Sequence, residues 1–327
     1  MKVGKLPETA LLRSVLKQIN HRREEVIVGP ALGQDCAVLS LEKDEVFILS
    51  SDPITGTITD LGSHCIHVTA NDLAASGAEP VGVMLTIMLP PVTKESALKK
   101  IMQEAERTCV MLGMEILGGH TEVTAAVNQP LISVTGVGKV KRDELMLATQ
   151  MKPGQDIVVS KWIGLEATAI LAKEKEAELR SFFNEEFINT AKSFDKYLSV
   201  IPEAKIAKGC HAKAMHDITE GGILGALWEM ANGSGVGIEI DLRKIPIRQE
   251  TIEVCELFKV NPYLIMSSGS MLIATDDGEL LVKALKEAGI EGTIIGRANA
   301  GKERIIRNGE EIRYLDKPQA DELYRIE

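Results

Sequence analysis

Short apolar runs alternate with amphipathic helical segments along most of the 327-residue chain. The runs at 46–50, 81–89 and 131–137 have the length and composition of buried strands. Between them, residues 94–112 repeat apolar positions at the spacing of a helix with one buried face. Strands and helices that alternate in this way pack as mixed layers. The pattern therefore predicts an α/β (α+β) fold.

The chain is long for a single hydrophobic core, so two domains are expected. Residues 152–155, Lys-Pro-Gly-Gln, contain the Pro-Gly pair that is typical of a turn, and they predict a turn before the strand 156–160. We place the boundary just before this turn. The predicted domains are residues 1–145 and 146–327.

Composition excludes several classes of function. The formal net charge is -10 and no Lys/Arg-rich run offsets it, which argues against nucleic acid as a partner. No stretch reaches about 18 uninterrupted apolar residues, so no membrane span is expected. The five cysteines are an odd number without a Cys-x-x-Cys pair, which favours reduced thiols in a cytoplasmic protein.

Acidic residues stand out because neither common nucleotide-binding glycine motif is present. Hard divalent cations take oxygen ligands, and neighbouring glycines let phosphate approach the backbone. Each acid also has an ordinary interpretation in a turn, a helix or an N-cap, where Thr219 competes with Asp217. The pair Gly118 and Gly119 could form a tight turn, and Lys161 could contact phosphate or remain solvated. The acids that suggest a site are Asp35, Asp52, Asp72, Glu122 and Asp217.

Taken in order, five segments resemble the AIR synthase superfamily, which includes AIR synthase, thiamine-monophosphate kinase, selenophosphate synthetase and HypE. HypE is the member that the chain resembles most, through the opening GKLP, the stretch HDITEGG and the ending LYRIE. The segments span nearly the whole chain; they are GPALGQDCAVL, SDPITG, TANDLAASGAEP, LGGHTEV and HDITEGGILGALWEMA.

The resemblance implies a two-domain AIR synthase-like fold. It implies an N-terminal ATP-binding domain that forms a β-barrel with a second copy in a homodimer, and a C-terminal α/β domain. It implies ATP and Mg²⁺ as cofactors, and a small molecule or protein as substrate. The implied metal ligands are Asp35, Asp52 and Asp72. The implied cofactor-binding residues are Asp35, Asp52, Asn71, Asp72, Gly118, Gly119, His120, Thr121 and Asp217. The implied catalytic residues are Asp72, Asp217 and Glu220.

Three departures from the family pattern bear on activity. Gln34 replaces a carboxylate, and His120 stands where an acid follows the glycine pair, so His120 could bind a transition metal or bond a backbone carbonyl. Glu327 replaces the terminal cysteine that carries the carbamoyl group in HypE, and a carboxylate cannot serve as that sulfur nucleophile.

The leading hypothesis is a HypE-like enzyme that transfers a phosphoryl group from ATP to an oxygen of an unknown substrate. Two alternatives stay open. One is a non-catalytic ATP- or metal-binding regulator, and the other is a phosphotransferase like thiamine-monophosphate kinase.

Overall fold

The computed structural model describes residues 4–5, 8–30, 38–54 and 59–326. The described chain divides into two compact units. The first unit is Met1–Leu73 with Ala78–Leu145, and the second is Ala74–Gly77 with Met146–Glu327.

The first unit contains a five-stranded sheet with the strand order β1-β6-β5-β7-β4. Its pairs are antiparallel except β5 with β6, which run parallel. A separate two-stranded ribbon pairs β2 with β3. The strands are β1 Gly4–Lys5, β2 Val26–Val28, β3 Val38–Leu39, β4 Glu45–Ile54, β5 Glu79–Leu89, β6 Glu115–Val123 and β7 Leu131–Lys141; the helices are α1 Glu8–Ser14, α2 Leu61–Ala75 and α3 Glu95–Leu112.

The amphipathic helix predicted at 94–112 is confirmed as α3. Its apolar stripe is buried, with Leu98 and Ala105 inaccessible to solvent. The helix ends at Gly113, whose φ of 72° is the left-handed conformation that commonly closes a helix. The shorter helix α2 is buried along most of its length, and its first half holds fully buried Cys65 and Ile66.

One face of this sheet keeps large apolar side chains in contact with solvent. Phe47, Leu49 and Met84 are 44%, 66% and 39% exposed. Because side chains alternate along a strand, these residues lie opposite the ones that are buried in the unit. The predicted dimeric barrel would use this exposed face, and it stays a prediction.

The second unit is built on a seven-stranded sheet with the order β14-β13-β10-β12-β8-β11-β9. The predicted strand Asp156–Ser160 is confirmed as β8. The strands are β8 Asp156–Ser160, β9 Ala214–Asp217, β10 Gly237–Asp241, β11 Met271–Thr275, β12 Gly292–Asn299, β13 Arg304–Asn308 and β14 Glu311–Tyr314; the helices are α4 Leu165–Glu174, α5 Glu176–Leu179, α6 Glu185–Lys192, α7 Ile201–Gly209, α8 Gly222–Ser234, α9 Gln249–Phe258 and α10 Gly278–Glu287.

Both faces of this sheet are covered at its centre. Ile157 and Val159 of β8 pack in a cluster with α8, whereas Val158 packs in another with α7 and α10. Strands buried on both faces read as continuous apolar runs, as β8 and β11 do. Among the described helices, none combines the length and apolarity that crossing a bilayer requires.

Candidate functional site

Two of the predicted acidic residues meet in the first unit. The hydroxyl of Ser50 on β4 donates to a carboxylate oxygen of Asp72 on α2, and it lies 3.1 Å from Oδ2 of Asp52. A serine hydroxyl carries one proton and can donate to only one acceptor at a time. The strand and the helix therefore bring two half-buried carboxylates around a single donor.

Strand alternation explains this arrangement. Ser50 and Asp52 are two residues apart on β4 and share a face, while Leu49 and Ser51 on the other face are exposed. Asn71, which precedes Asp72 in α2, is fully buried. Asp52 thus lies inside a strand of ten residues, and not in the turn that was its ordinary interpretation.

The third predicted metal ligand, Asp35, lies outside the described residues. The preceding segment 20–23 is held by two acids, Glu106 of α3 and Glu115 of β6. Glu106 accepts from the amides of Asn20 and His21 at 2.6 and 2.7 Å. The fully buried Glu115 accepts from the Arg23 amide at 2.6 Å. The chain therefore approaches residue 30 from a fixed position against the first unit.

The glycine pair is not a turn, as one interpretation had it, because Gly118 and Gly119 lie within strand β6. Gly119 has a φ of 142°, and an added Cβ would lie 1.9 Å from the carbonyl oxygen of Leu85. Glycine is required here because β5 and β6 approach closely. The close approach is a packing requirement of the sheet.

His120 and Thr121, which follow the glycine pair, point to opposite faces of β6. Thr121 is buried, whereas His120 is exposed and its Nε2 lies 3.1 Å from Oε2 of Glu122. Its partner is a carboxylate, and not the backbone carbonyl of the ordinary interpretation. Three strand spacings separate β6 from β4, about 14 Å. The structure thus keeps Gly118 to Thr121 apart from Asp52.

Within the described ranges, no group of three or more His, Cys, Asp and Glu side chains is arranged to hold a metal. The oxygen atoms of Asp52 and Asp72 are nonetheless the donors that a hard divalent cation prefers. Two carboxylates that share one hydroxyl also gain from a cation that neutralises their repulsion. This part of the predicted set fits Mg²⁺, with Asp35 as the further predicted ligand.

The second unit places Asp217 at the end of the edge strand β9. Asp217 is only 5% exposed, and its Oδ2 is buried without a hydrogen-bond partner. A buried, unpaired carboxylate oxygen is unfavourable unless a charge or ligand compensates it. Asp217 is therefore a natural contact for a cation or a donor group.

His216 supplies part of that compensation. Its Nδ1 lies 2.7 Å from the carbonyl oxygen and 3.8 Å from Oδ1 of Asp217, and its Nε2 lies 3.4 Å from Glu229. Burial by itself would lower the pKa of His216, but Asp217 and Glu229 outweigh it and raise the pKa to about 10. The imidazolium therefore stays charged at neutral pH.

The loop after Asp217 leads into α8 through two glycines. Gly221, with a φ of 78°, is the N-cap, and no side chain of its own caps the helix. The predicted caps Asp217 and Thr219 are therefore both wrong. Instead, the Gly221 amide donates to Oδ2 of Asp321 at 2.8 Å, and exposed Glu220 accepts from the hydroxyl of Tyr324 at 2.5 Å.

Lys161 contradicts both of its predicted roles. It is 7% exposed, and its Nζ donates to the carbonyl oxygens of Tyr197, Ser199 and Gly269 at 2.7 to 2.9 Å. Glu203 completes the set with an ion pair of 2.5 Å. With every donor used inside the fold, Lys161 is a structural residue.

The described cysteines are poor nucleophiles. Cys65 and Cys255 are buried, and burial raises the pKa of each thiol to about 12. Burial also raises the pKa of Cys109 well above its usual value. A thiol that stays protonated at neutral pH is unreactive, so these three cysteines are poor candidates for a sulfur nucleophile. Cys36 lies outside the described residues.

Sequence reasoning missed four residues of these two clusters. Ser50 and His216 stand beside predicted acids, in SSDP and HDITEGG, and this adjacency was a usable signal. Asp321 and Tyr324 gave none, since they are about 100 residues from the loop that they contact.

Two family models match the chain. The model of the AIR synthase related protein N-terminal domain matches residues 33–140, and the C-terminal domain model matches residues 152–308. The two matches follow the order that the fold shows, and together they cover more than half of the chain. The chain belongs to the AIR synthase related proteins.

Its relatives within that family include hydrogenase maturation proteins. The chain is 29% identical to a hydrogenase expression/formation protein of Methanocaldococcus jannaschii over 99% of this chain and 97% of that one. It is 25% identical to the carbamoyl dehydratase HypE of Rhodobacter capsulatus over 90% of this chain and 86% of that one.

A crystal structure of the hydrogenase maturation protein HypE in complex with ATP shares the fold. Its TM-score is 0.79 at 18% identity, and the match covers 96% of this chain and 95% of that one. The fold predicted from the resemblance is confirmed.

Proposed function

We propose that this protein is a HypE-like, ATP-dependent enzyme that transfers the γ-phosphoryl group to a substrate oxygen. The observation that carries the proposal is the meeting of Asp52 and Asp72 around Ser50 in a chain of this family. Relatives named as carbamoyl dehydratase and a HypE structure holding ATP support it.

In this proposal Asp35, Asp52 and Asp72 hold Mg²⁺, which neutralises charge on the triphosphate when bound. Of the other predicted nucleotide contacts, Gly118, Gly119 and exposed His120 line the nucleotide site in this proposal, whereas buried Asn71 and Thr121 support it from within the fold. The predicted catalytic residues Asp217 and Glu220 are proposed to act on the substrate oxygen, whose proton Asp217 accepts. His216 supplies a positive charge, and its Nδ1 lies 3.8 Å from Oδ1 of Asp217.

The substrate is a separate molecule, small or protein. We propose a homodimer joined through the face that carries Phe47, Leu49 and Met84, because exposed apolar patches on a soluble unit commonly mark an interface. Analytical ultracentrifugation of Leu49→Arg tests this: the variant should sediment as a monomer, and an unchanged dimer would contradict the assignment.

The enzyme proposal is tested by calorimetric titration with ATP and Mg²⁺, followed by assay of ADP release. Asp72→Asn should weaken binding of the magnesium complex roughly tenfold or more, because one ligand charge is lost. The exposed Asp44→Asn, in the turn before β4, is the matched control and should bind as the wild type does.

The assay also separates the alternatives. ADP release with an amide or carbamoyl acceptor supports the HypE-like activity. Release only with a phosphate-monoester acceptor such as thiamine monophosphate supports the kinase, and tight binding without release supports the regulator. Absence of nucleotide binding would overturn both enzymes, and absence of metal binding as well would overturn the regulator.

A further inference from the structure

The last described segment of the chain lies against the loop that carries Asp217 and Glu220. Two bonds join them: Asp321 accepts from the Gly221 amide at 2.8 Å, and Tyr324 donates to Glu220 at 2.5 Å. The first bond joins a backbone amide to a side chain and the second joins two side chains, and both connect residues about 100 positions apart. The conformation of the loop depends on the C-terminal segment.

The segment is itself anchored at several points. Leu323 is 7% exposed and packs in a buried cluster with residues of α4, α6 and α9. The Glu322 amide donates to the Leu264 carbonyl at 3.2 Å, and its carboxylate accepts from the Asn261 amide at 3.3 Å. A segment held by an apolar anchor and two backbone contacts can support the loop that it touches.

Asp321 is the central contact. It is 1% exposed, and its two oxygens accept from the amides of Gly221 and Leu323 at 2.8 and 2.9 Å. Hydrogen bonds to a carboxylate are among the stronger ones in proteins. The bond to Gly221 also places negative charge at the N-terminus of α8, where the helix dipole favours it.

We infer that the segment 316–326 acts as a brace: it holds the loop 218–221 in place. Asp321 and Tyr324 are the positioning residues for Glu220 in that loop. This inference deepens the proposed function and rests on it for the role of Glu220. A segment fixed in this way is unsuited to carry a reacting group into the site.

Hydrogen–deuterium exchange of the ligand-free, full-length protein tests the brace, read on the peptide that covers residues 216–224. Asp321→Ala removes both acceptors and should speed exchange at Gly221 and Gly222 roughly fivefold or more. Its control is Asp316→Ala, at an exposed position of the same segment. The control should exchange as the wild type does.

Tyr324→Phe keeps the test decisive if Asp321→Ala does not fold, because it removes only a hydroxyl from a half-exposed ring. Exchange in the same peptide should rise about twofold. Tyr314→Phe, which loses a hydroxyl bonded to Glu303 on a distant hairpin, is the control. Unchanged exchange in a folded Tyr324→Phe, or in a folded Asp321→Ala, overturns the brace.

Kinetics separate positioning from general destabilisation. Both brace variants should lower kcat at least fivefold while KM for the magnesium–ATP complex stays constant, because the proposed metal ligands lie in the first unit. A parallel change in the two constants would overturn the positioning role. If the wild type binds no nucleotide, the proposed function fails, whereas the exchange result still decides whether the brace exists.

Discussion

The two units hold their acidic residues in opposite ways. In the first unit, Asp52 and Asp72 approach the same Ser50 hydroxyl, so two like charges are gathered around one donor. In the second unit, Asp217 has a neighbouring imidazolium, and its loop is braced by Asp321 and Tyr324. In the proposed function a cation would complete the first arrangement, whereas in the second the neighbouring imidazolium is part of the fold.

This difference has a consequence for stability. Gathering like charges lowers the stability of the free protein and prepares a place where a cation binds. Supplying a counter-charge raises stability and fixes a side chain before any ligand arrives. The same kind of substitution should therefore have opposite effects in the two units.

The largest effect is expected at the glycine pair of the first unit. Gly119→Ala would place a Cβ 1.9 Å from the Leu85 carbonyl at a φ of 142°, and it should reduce the free energy of unfolding by about 3 kcal/mol or more. Gly118→Ala is the matched variant, because its Cβ would lie 4.0 Å from its nearest neighbour, Met84 Cε. It should reduce the free energy of unfolding by about 1 kcal/mol. Urea denaturation measures both, and equal midpoints would refute the packing requirement.

The next effect concerns the counter-charge in the second unit. His216→Gln leaves Asp217 buried without its imidazolium, so stability at pH 7 should fall by about 2 kcal/mol. The control, His211→Gln at an exposed turn, should change little.

The pH dependence of this effect has a defined sign. The pKa of His216 rises from 6.5 to about 10 on folding, so its stabilisation is complete below pH 6.5 and is lost as the pH rises through 10. Urea midpoints of wild type and His216→Gln should converge by about pH 10. A constant gap from pH 6 to 10 would show that the loss reflects packing and not charge.

A smaller effect is expected at the brace. Burial raises the pKa of Asp321 from 3.8 to about 6, against the bonds from Leu323, Gly221 and Met266, while Glu166 adds to the rise. Glu322 and Cys255 also lie close to this carboxyl. Stability from this group is complete below pH 3.8 and is lost as the pH rises through 6.

Between pH 5 and 7 the free energy of unfolding of the wild type should therefore fall by about 1 kcal/mol relative to that of Asp321→Asn, because the asparagine does not titrate. Thermal unfolding across this range measures the change. If the difference in stability between the wild type and Asp321→Asn does not change with pH, ionisation of Asp321 does not cause the loss.

The smallest effect has the opposite sign to that of His216→Gln. Asp52→Asn removes one of two neighbouring carboxylates, so it should stabilise the free protein by about 0.5 kcal/mol in a chelator. Asp44→Asn is again the control. Added Mg²⁺ and ATP should stabilise the wild type more than Asp52→Asn, and equal stabilisation would separate Asp52 from the cation.

The sequence by itself determined the elements and the family. Periodicity predicted α3, because its side chains follow the spacing of a helix with one buried face, and the turn at 152–155 predicted the strand that is β8. The ordered acidic motifs indicated the family to which the chain belongs. The acidic side chains in these motifs also pointed to Asp52 and Asp72. The interpretation of Asp52 as a turn residue is wrong, because it lies within β4.

Only the tertiary structure decided which groups touch. It gave Lys161 a buried structural role, because three carbonyl groups and Glu203 converge on it from distant parts of the chain. It placed the glycine pair inside a strand and brought Asp321 to Gly221. Such contacts depend on strand order and on the packing of segments far apart in the chain, and the spacing of residues along a sequence carries no record of either.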